Sequence, residues 1–203
     1  MKIISWNLLR LTGASLDHVA ELVKREKPAL LLMQEATERI DALPEMLGGH
    51  YFRTLLPGRV HGLAVWSMAP LKKPEILELP SGVMFHRVAQ IVDTGQFSIA
   101  NVHLSHGQIL NRRQLMRLRK ALPAHAAVIG DYNLLGPVML PGFRDVGPRF
   151  ATHRMGDMMP LRLDRCLVRG LVCTGAAALD RGTSDHRPIT VTLSVTGDTS
   201  SAA

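Results

Sequence analysis

The chain has 203 residues, 46% of them hydrophobic and 20% charged, with a formal net charge of +7. That is material for one well-filled domain, or for two layered halves sharing a core, and the composition is that of an ordinary globular protein. No apolar run approaches the roughly 18 residues a membrane span needs, so no stable membrane insertion is expected; Met1 leads straight into a strand with no signal-peptide pattern, which makes a cytoplasmic location the expectation.

The positive charge is unevenly placed. Residues 1–110 hold eleven basic and ten acidic side chains, whereas residues 111–203 hold thirteen and seven. Such an excess favours a polyanionic partner, nucleic acid or an anionic lipid surface, without choosing between them. A basic protein with no such partner is the alternative. The two cysteines, Cys166 and Cys173, form no CxxC pair and read as reduced packing residues.

In chain order, residues 3–6 read as a strand running into Asn7. Ser15 then caps a predicted helix whose apolar positions Leu16, Val19, Ala20 and Val23 repeat at helical spacing, and Lys27-Pro28 ends it. Residues 29–33 are apolar throughout, the mark of a strand buried on both faces, and run into Gln34-Glu35. A weaker helix is predicted over 38–47, stopped by Gly48-Gly49. Short β-like runs follow at 51–55, 63–67, 75–79, 83–92 and 97–103, read as one antiparallel meander with a hairpin turn at 93–96. Lys72-Lys73 falls on one of its turns and reads as a solvated loop in preference to a phosphate contact.

Residues 108–122 form the second predicted helix, with Leu115, Leu118 and Leu122 on one stripe and Arg112, Arg113, Arg117, Arg119 and Lys120 around the rest. No acid offsets these cations, which make either a solvated helix face or a surface for a nucleic-acid backbone. Residues 126–130 are a short buried strand that delivers Asp131, Tyr132 and Asn133 to a sheet rim, because the Leu-Leu-Gly-Pro that follows continues neither strand nor helix. A Pro- and Met-rich connection over 134–160, with a candidate short strand at 150–153, leads to three more predicted strands. These are 161–168, with Asp164 at its centre, 170–178, and 189–195, the last preceded by Ser184-Asp185-His186. The chain reads as a single domain over 1–196 with a disordered tail over 197–203.

These segments together collect four carboxylates, Glu35, Asp131, Asp164 and Asp185, with the amides Asn7 and Asn133 and the imidazoles His103 and His186. The sequence holds no serine nucleophile elbow, no Gly-rich phosphate loop, and no HExxH or CxxC zinc pattern. Hard oxygen ligands in this number suit Mg2+ or Mn2+, and histidines left free can handle protons. Together they equip a site for attack of water on a phosphoester.

Seven segments then become recognisable together: Ile4-Ser5-Trp6-Asn7, Gln34-Glu35, Asn101-Val102-His103-Leu104, Arg113-Gln114, Gly130-Asp131-Tyr132-Asn133, Arg162-Leu163-Asp164 and Ser184-Asp185-His186-Arg187-Pro188. In that order, from residue 3 to 195, the chain resembles the endonuclease/exonuclease/phosphatase superfamily of DNase I-like metal-dependent phosphohydrolases. The resemblance implies a four-layer αββα sandwich of the α/β (α+β) class, two mixed sheets face to face with helices outside. It also implies a metal held by Glu35, Asn7 and Asp185, with Asp131, helped by Asn133, orienting or deprotonating the attacking water. His186, oriented by Asp164, would contact the scissile phosphate that His103 also faces. A carboxylate on one ring nitrogen fixes the tautomer and raises the imidazole pKa, so the other nitrogen can donate to an anionic oxygen. Tyr132 stands where the family usually has Phe, and the 50–62 and 134–160 regions are compact.

The expected protein is therefore a monomeric Mg2+- or Mn2+-dependent phosphodiesterase, first of all a nuclease acting on DNA, with Arg112, Arg113 and Arg117 as substrate contacts. The alternative is the same chemistry on phosphoinositides, other phospholipids or a small soluble phosphoester, for which Met155, Met158 and Met159 are the apolar hint. A third class, an idle scaffold that kept the fold, predicts a lost site position, and all eight are filled.

Overall fold

The computed structural model describes residues 1–10, 12–82, 86–155 and 159–196. The predicted strand residues 83–85, Met158, the side chain of Met155 and the tail 197–203 lie outside the described residues. Strands β1 (Lys2–Asn7) and β2 (Leu30–Thr37) flank helix α1 (Leu16–Glu26), and a short 3-10 turn (Glu38–Ile40) and helix α2 (Leu43–Leu47) lead to β3 (His50–Leu55) and β4 (His61–Ser67). Strands β5 (Glu75–Leu79), β6 (Arg87–Asp93) and β7 (Ser98–His103) precede α3 (Gln108–Ala121) and β8 (Ala126–Asp131). The remainder is β9 (Arg144–Asp145), β10 (His153–Met155), β11 (Met159–Leu161), β12 (Asp164–Arg169), β13 (Leu171–Ala178) and β14 (Ile189–Val195).

One six-stranded sheet has the order β13-β14-β1-β2-β4-β3 and the other β5-β6-β7-β8-β12-β9, while β10 and β11 pair as a separate hairpin. Each large sheet is mixed through one parallel pair, β1 with β2 and β7 with β8. Side-chain alternation builds the layers. Ile3, Leu30, Leu32, Ile99, Ala127 and Ile129 share the core between the sheets, whereas their neighbours Ile4, Leu31 and Met33 pack under Val19 and Val23 of α1. Ala100 and Val128 turn outward to Leu115 and Leu118 of α3. The result is the expected four-layer sandwich of two mixed sheets with helices outside.

Helix α1 begins as predicted: the Ser15 hydroxyl accepts the His18 N–H, and His18 Nδ1 returns to the Ser15 backbone. Several expectations need correcting. The 50–104 segment is not one meander, because β3 and β4 join the first sheet and β5 to β7 the second. The helix over 38–47 breaks at residues 41–42 into a 3-10 turn and α2, which carries Pro44 in its first turn. The short strand at 150–153 begins only at His153, and Asp164 opens β12 rather than sitting at its centre. On α3 the buried stripe carries the polar Asn111 and Gln114 beside Leu115 and Leu118.

Candidate active site

Parallel pairing of β7 with β8 sets His103 beside Asp131 at the rim of the second sheet. Gly130 permits it, since its φ is +145° and a Cβ there would lie 2.0 Å from the Val102 carbonyl oxygen. At the rim of the first sheet, β1 ends in Asn7, whose Nδ2 donates to Asp131 Oδ2 at 3.0 Å. The Asn133 N–H closes on the other oxygen, Oδ1, at 2.8 Å, and the Asn133 side-chain amide donates to the Leu104 carbonyl at 3.0 Å. Asn133 adopts a left-handed φ of +49°, which asparagine tolerates.

Antiparallel pairing of β12 with β8 places Asp164 opposite Asp131. Asp164 Oδ2 stands 2.8 Å from His186 Nδ1, and the other ring nitrogen, Nε2, lies 3.8 Å from Asp131 Oδ2. His103 Nε2 approaches the same Oδ2 at 3.5 Å. The segment bearing His186 is pinned to β1: the Trp6 indole donates to the His186 carbonyl at 3.0 Å, and the Ser184 hydroxyl donates to the Asn7 carbonyl at 2.7 Å. Asp185, next to His186, receives His153 Nε2 at 3.2 Å.

Glu35 reaches the site by a backbone irregularity. The β2–β4 register shifts between Met33 and Ala36, and within that bulge Glu35 takes a φ of +56°. A non-glycine residue held there costs on the order of 1–3 kcal/mol and persists only where its surroundings impose it. Burial, reinforced by Asp131 and Asp185, raises the Glu35 carboxyl above the usual range despite the pull of Arg10 and His186. Burial likewise raises Asp131, with Asp164 adding to it, against His186 and the N–H donors of Asn133 and Asn7.

The two imidazoles at Asp131 differ in charge. Burial, then the positive charges of Arg87 and His186, hold His103 well below the usual imidazole range, so it is neutral. Burial also pulls His186 down, but Asp164, Asp131 and Asp185 together outweigh it and push this imidazole up to about 10. One site thus holds a neutral and a cationic histidine beside a buried carboxylate.

Asn7, His103, Asp131, Asn133, Asp164 and His186 therefore meet through direct contacts, and Asp185 and Glu35 lie within electrostatic reach of them. Arg112, Arg113 and Arg117 do not join them. They line a groove of about 760 Å³ with Met116, Met139 and Leu140, and this groove shares no lining residue with the 420 Å³ cavity beside His186 and Asn133. Among the described residues two clusters could hold a metal ion: Asp131, Asp164 and His186, and His153, Asp185 and His186.

Sequence reasoning named Gln34 and Asn101 within its segments but gave the polar scaffold no role. Gln34 Nε2 donates to Ser5 Oγ at 3.1 Å and to Asn101 Oδ1 at 2.8 Å, tying the two sheets together beneath the site. Asn111 Nδ2 holds the Ser105 and Tyr132 carbonyls, which fixes the strand ends bearing His103 and Asp131. It also missed the cations Arg10 and Arg87, and His153, which in the sequence shows only as the end of a short strand.

Similar folds recur among solved proteins. A protein from Bacteroides vulgatus described as an endonuclease/exonuclease/phosphatase superposes with a TM-score of 0.80 at 14% identity, covering 96% of this chain and 98% of that one. D. rerio TDP2, solved in complex with single-strand DNA product, gives 0.74 at 19% identity over 96% of this chain and 99% of its own. An endonuclease/exonuclease/phosphatase from Beutenbergia cavernae gives 0.76 at 17% identity over 97% and 72%. At these identities the likeness is one of fold. No curated protein matches the chain. The profile of the Endonuclease/Exonuclease/phosphatase family matches residues 4–186, from the first strand to the histidine paired with Asp164, and the chain belongs to that family.

Proposed function

We propose that the protein is a divalent-metal-dependent phosphodiesterase that hydrolyses nucleic acid, with DNA as the first substrate. The observation that carries this reading is the geometry around buried Asp131: two imidazoles stand against one carboxylate oxygen, and only one of them, His186, is backed by a second carboxylate, Asp164. Water attacking a phosphodiester needs a base for its proton and positive charge for the phosphoryl oxygens. Asp131, with its proton affinity raised by burial, is the base, and Asn133 and Asn7 orient its two oxygens. His186, cationic on Asp164, donates Nε2–H to a phosphoryl oxygen, and neutral His103 turns its Nε2–H to the same place beside Asp131.

The donor set suits a hard cation: half-buried Glu35 and buried Asp131 are carboxylates with raised proton affinity, and Asp164 Oδ1 is buried without a hydrogen-bond partner. Glu35, Asn7 and Asp185 would hold Mg2+ or Mn2+. When bound, such an ion offsets charge on the phosphoryl and leaving oxygens. The DNA product bound by D. rerio TDP2 and the basic second half of the chain support nucleic acid as substrate. A phospholipid substrate is the second reading, favoured by one observation: Leu135 and Met159, 59% and 53% exposed, rim the cavity beside His186.

The test is nicking of supercoiled plasmid by purified protein with Mg2+, beside a folded Asp131→Ala variant and a chelator control. Nicking that disappears in both controls is expected. A folded wild type that leaves plasmid intact but hydrolyses phosphoinositide vesicles would replace the first reading with the second.

A further inference from the structure

The hydrolytic reading leaves His153 unused. It opens β10, forms an isolated bridge with His186, and sets its ring centroid 4.5 Å from that of His186 at 59°. His153 Nε2 is 3.2 Å from Asp185 Oδ2, and His186 Nε2 is 4.0 Å from Asp185 Oδ1. Two imidazole nitrogens and one carboxylate oxygen thus lie within 4.8 Å of one another. Bonds of about 2.0–2.1 Å around tetrahedral Zn2+ place neighbouring donors about 3.3–3.4 Å apart. The first pair already has that spacing, and the others need only side-chain adjustments.

Other features agree with a metal site. Asp164 on His186 Nδ1 is the carboxylate–histidine arrangement that orients a metal-binding imidazole. His153 Nδ1 is buried with no hydrogen-bond partner, so the ring's polar contact is made through Nε2, the nitrogen turned to Asp185. Asp185 is 32% exposed and His153 lines the open cavity beside His186, which gives an ion a path in. Two nitrogens and one oxygen favour a borderline transition metal over Mg2+, which prefers oxygen.

We propose that His153, Asp185 and His186 form a second metal site, for a nitrogen-preferring ion such as Zn2+, whose occupation takes His186 Nε2 away from the phosphate and shuts off hydrolysis. At each imidazole the ion takes the electron pair that held the Nε2 proton; each displaced proton passes to solvent, and a neutral His153 ring regains one at Nδ1. Binding rests on the cluster alone, while the shut-off rests on the hydrolytic function proposed above.

Tag-free, chelator-stripped protein is titrated with ZnCl2 by calorimetry, beside His153→Phe, which keeps a ring against His186 but no donor, His153→Gln and Glu35→Gln. Circular dichroism checks each fold. Wild type and Glu35→Gln should bind one Zn2+ per chain, and the His153 variants at least 10-fold more weakly. Equal affinity in either folded His153 variant, or no binding by folded wild type, overturns the site. Zn2+ should inhibit Mg2+-supported plasmid nicking by wild type near its measured Kd and by His153→Phe only at 10-fold higher concentration; equal inhibition overturns the shut-off. Zn2+ binding through His153 by a protein that hydrolyses no phosphodiester would instead overturn the proposed function and leave the site standing.

Discussion

His103 and His186 contact one carboxylate oxygen, yet only His186 has a second carboxylate on its far nitrogen; His103 Nδ1 is buried with no partner. That difference decides their charges, because each loses hydration and only one regains it as ion pairing. Asp164→Asn should therefore lower the His186 pKa from about 10 and move the basic limb of the kcat/KM–pH profile to lower pH. An unmoved limb would mean that Asp164 does not govern the imidazole. His61 makes a separate prediction. Burial, with Arg10, Arg59 and Arg87 behind it, lowers its imidazole to about 4. The unfolded chain takes up that proton near pH 6.5 and the folded chain only near 4, so the contribution to stability is complete above 6.5 and is lost as pH falls through this window. Melting temperatures from pH 7 to 4 should drop less steeply for His61→Gln than for the wild type.

At the level of elements, the site is assembled by irregularities in otherwise regular strands. The β2 bulge aims Glu35, the left-handed Asn133 turns the chain after β8, and Gly130 lets β7 and β8 approach. Gly130→Ala forces a methyl group into the Val102 carbonyl, so the two strands must part. Overpacking of this kind costs about 3 kcal/mol, equivalent to roughly 6–12 °C in Tm for a domain of this size. Thermal unfolding measures it, and a change under about 2 °C would mean that the pair yields without strain.

For the whole molecule, charge and chemistry are separated. The arginines of α3 line their own groove on the outer face, apart from the carboxylates between the sheet rims. Replacing Arg112, Arg113 and Arg117 together by alanine should leave kcat within about twofold, because no reacting group is touched. If the substrate backbone crosses that face, KM rises and the slope of log affinity against log salt falls by roughly 0.7–0.9 for each phosphate that is no longer neutralised. Salt titration of oligonucleotide binding separates a substrate track from a solvated helix face.

The sequence by itself determined most of the strands, the apolar faces of the two longer helices and most of the polar residues at strand ends. These depend on spacings of two to four residues, which local sequence records directly. Asn7, Glu35, His103 and Asp131 were legible because an apolar strand that stops at a polar side chain marks a rim, whereas Asp164 was read within a strand and His186 ahead of one, and both took their roles from the family resemblance. Only the tertiary structure decided which rims meet, since Asn7 and Asp131 are 124 positions apart and their hydrogen bond depends on two sheets stacking. It also divided the 50–104 segment between those sheets, gave Gln34, Asn101 and Asn111 buried partners, brought His153 against His186, and set the α3 arginines aside. Each of these follows from contacts distant in sequence, whose energies depend on burial and on neighbours that no local pattern specifies.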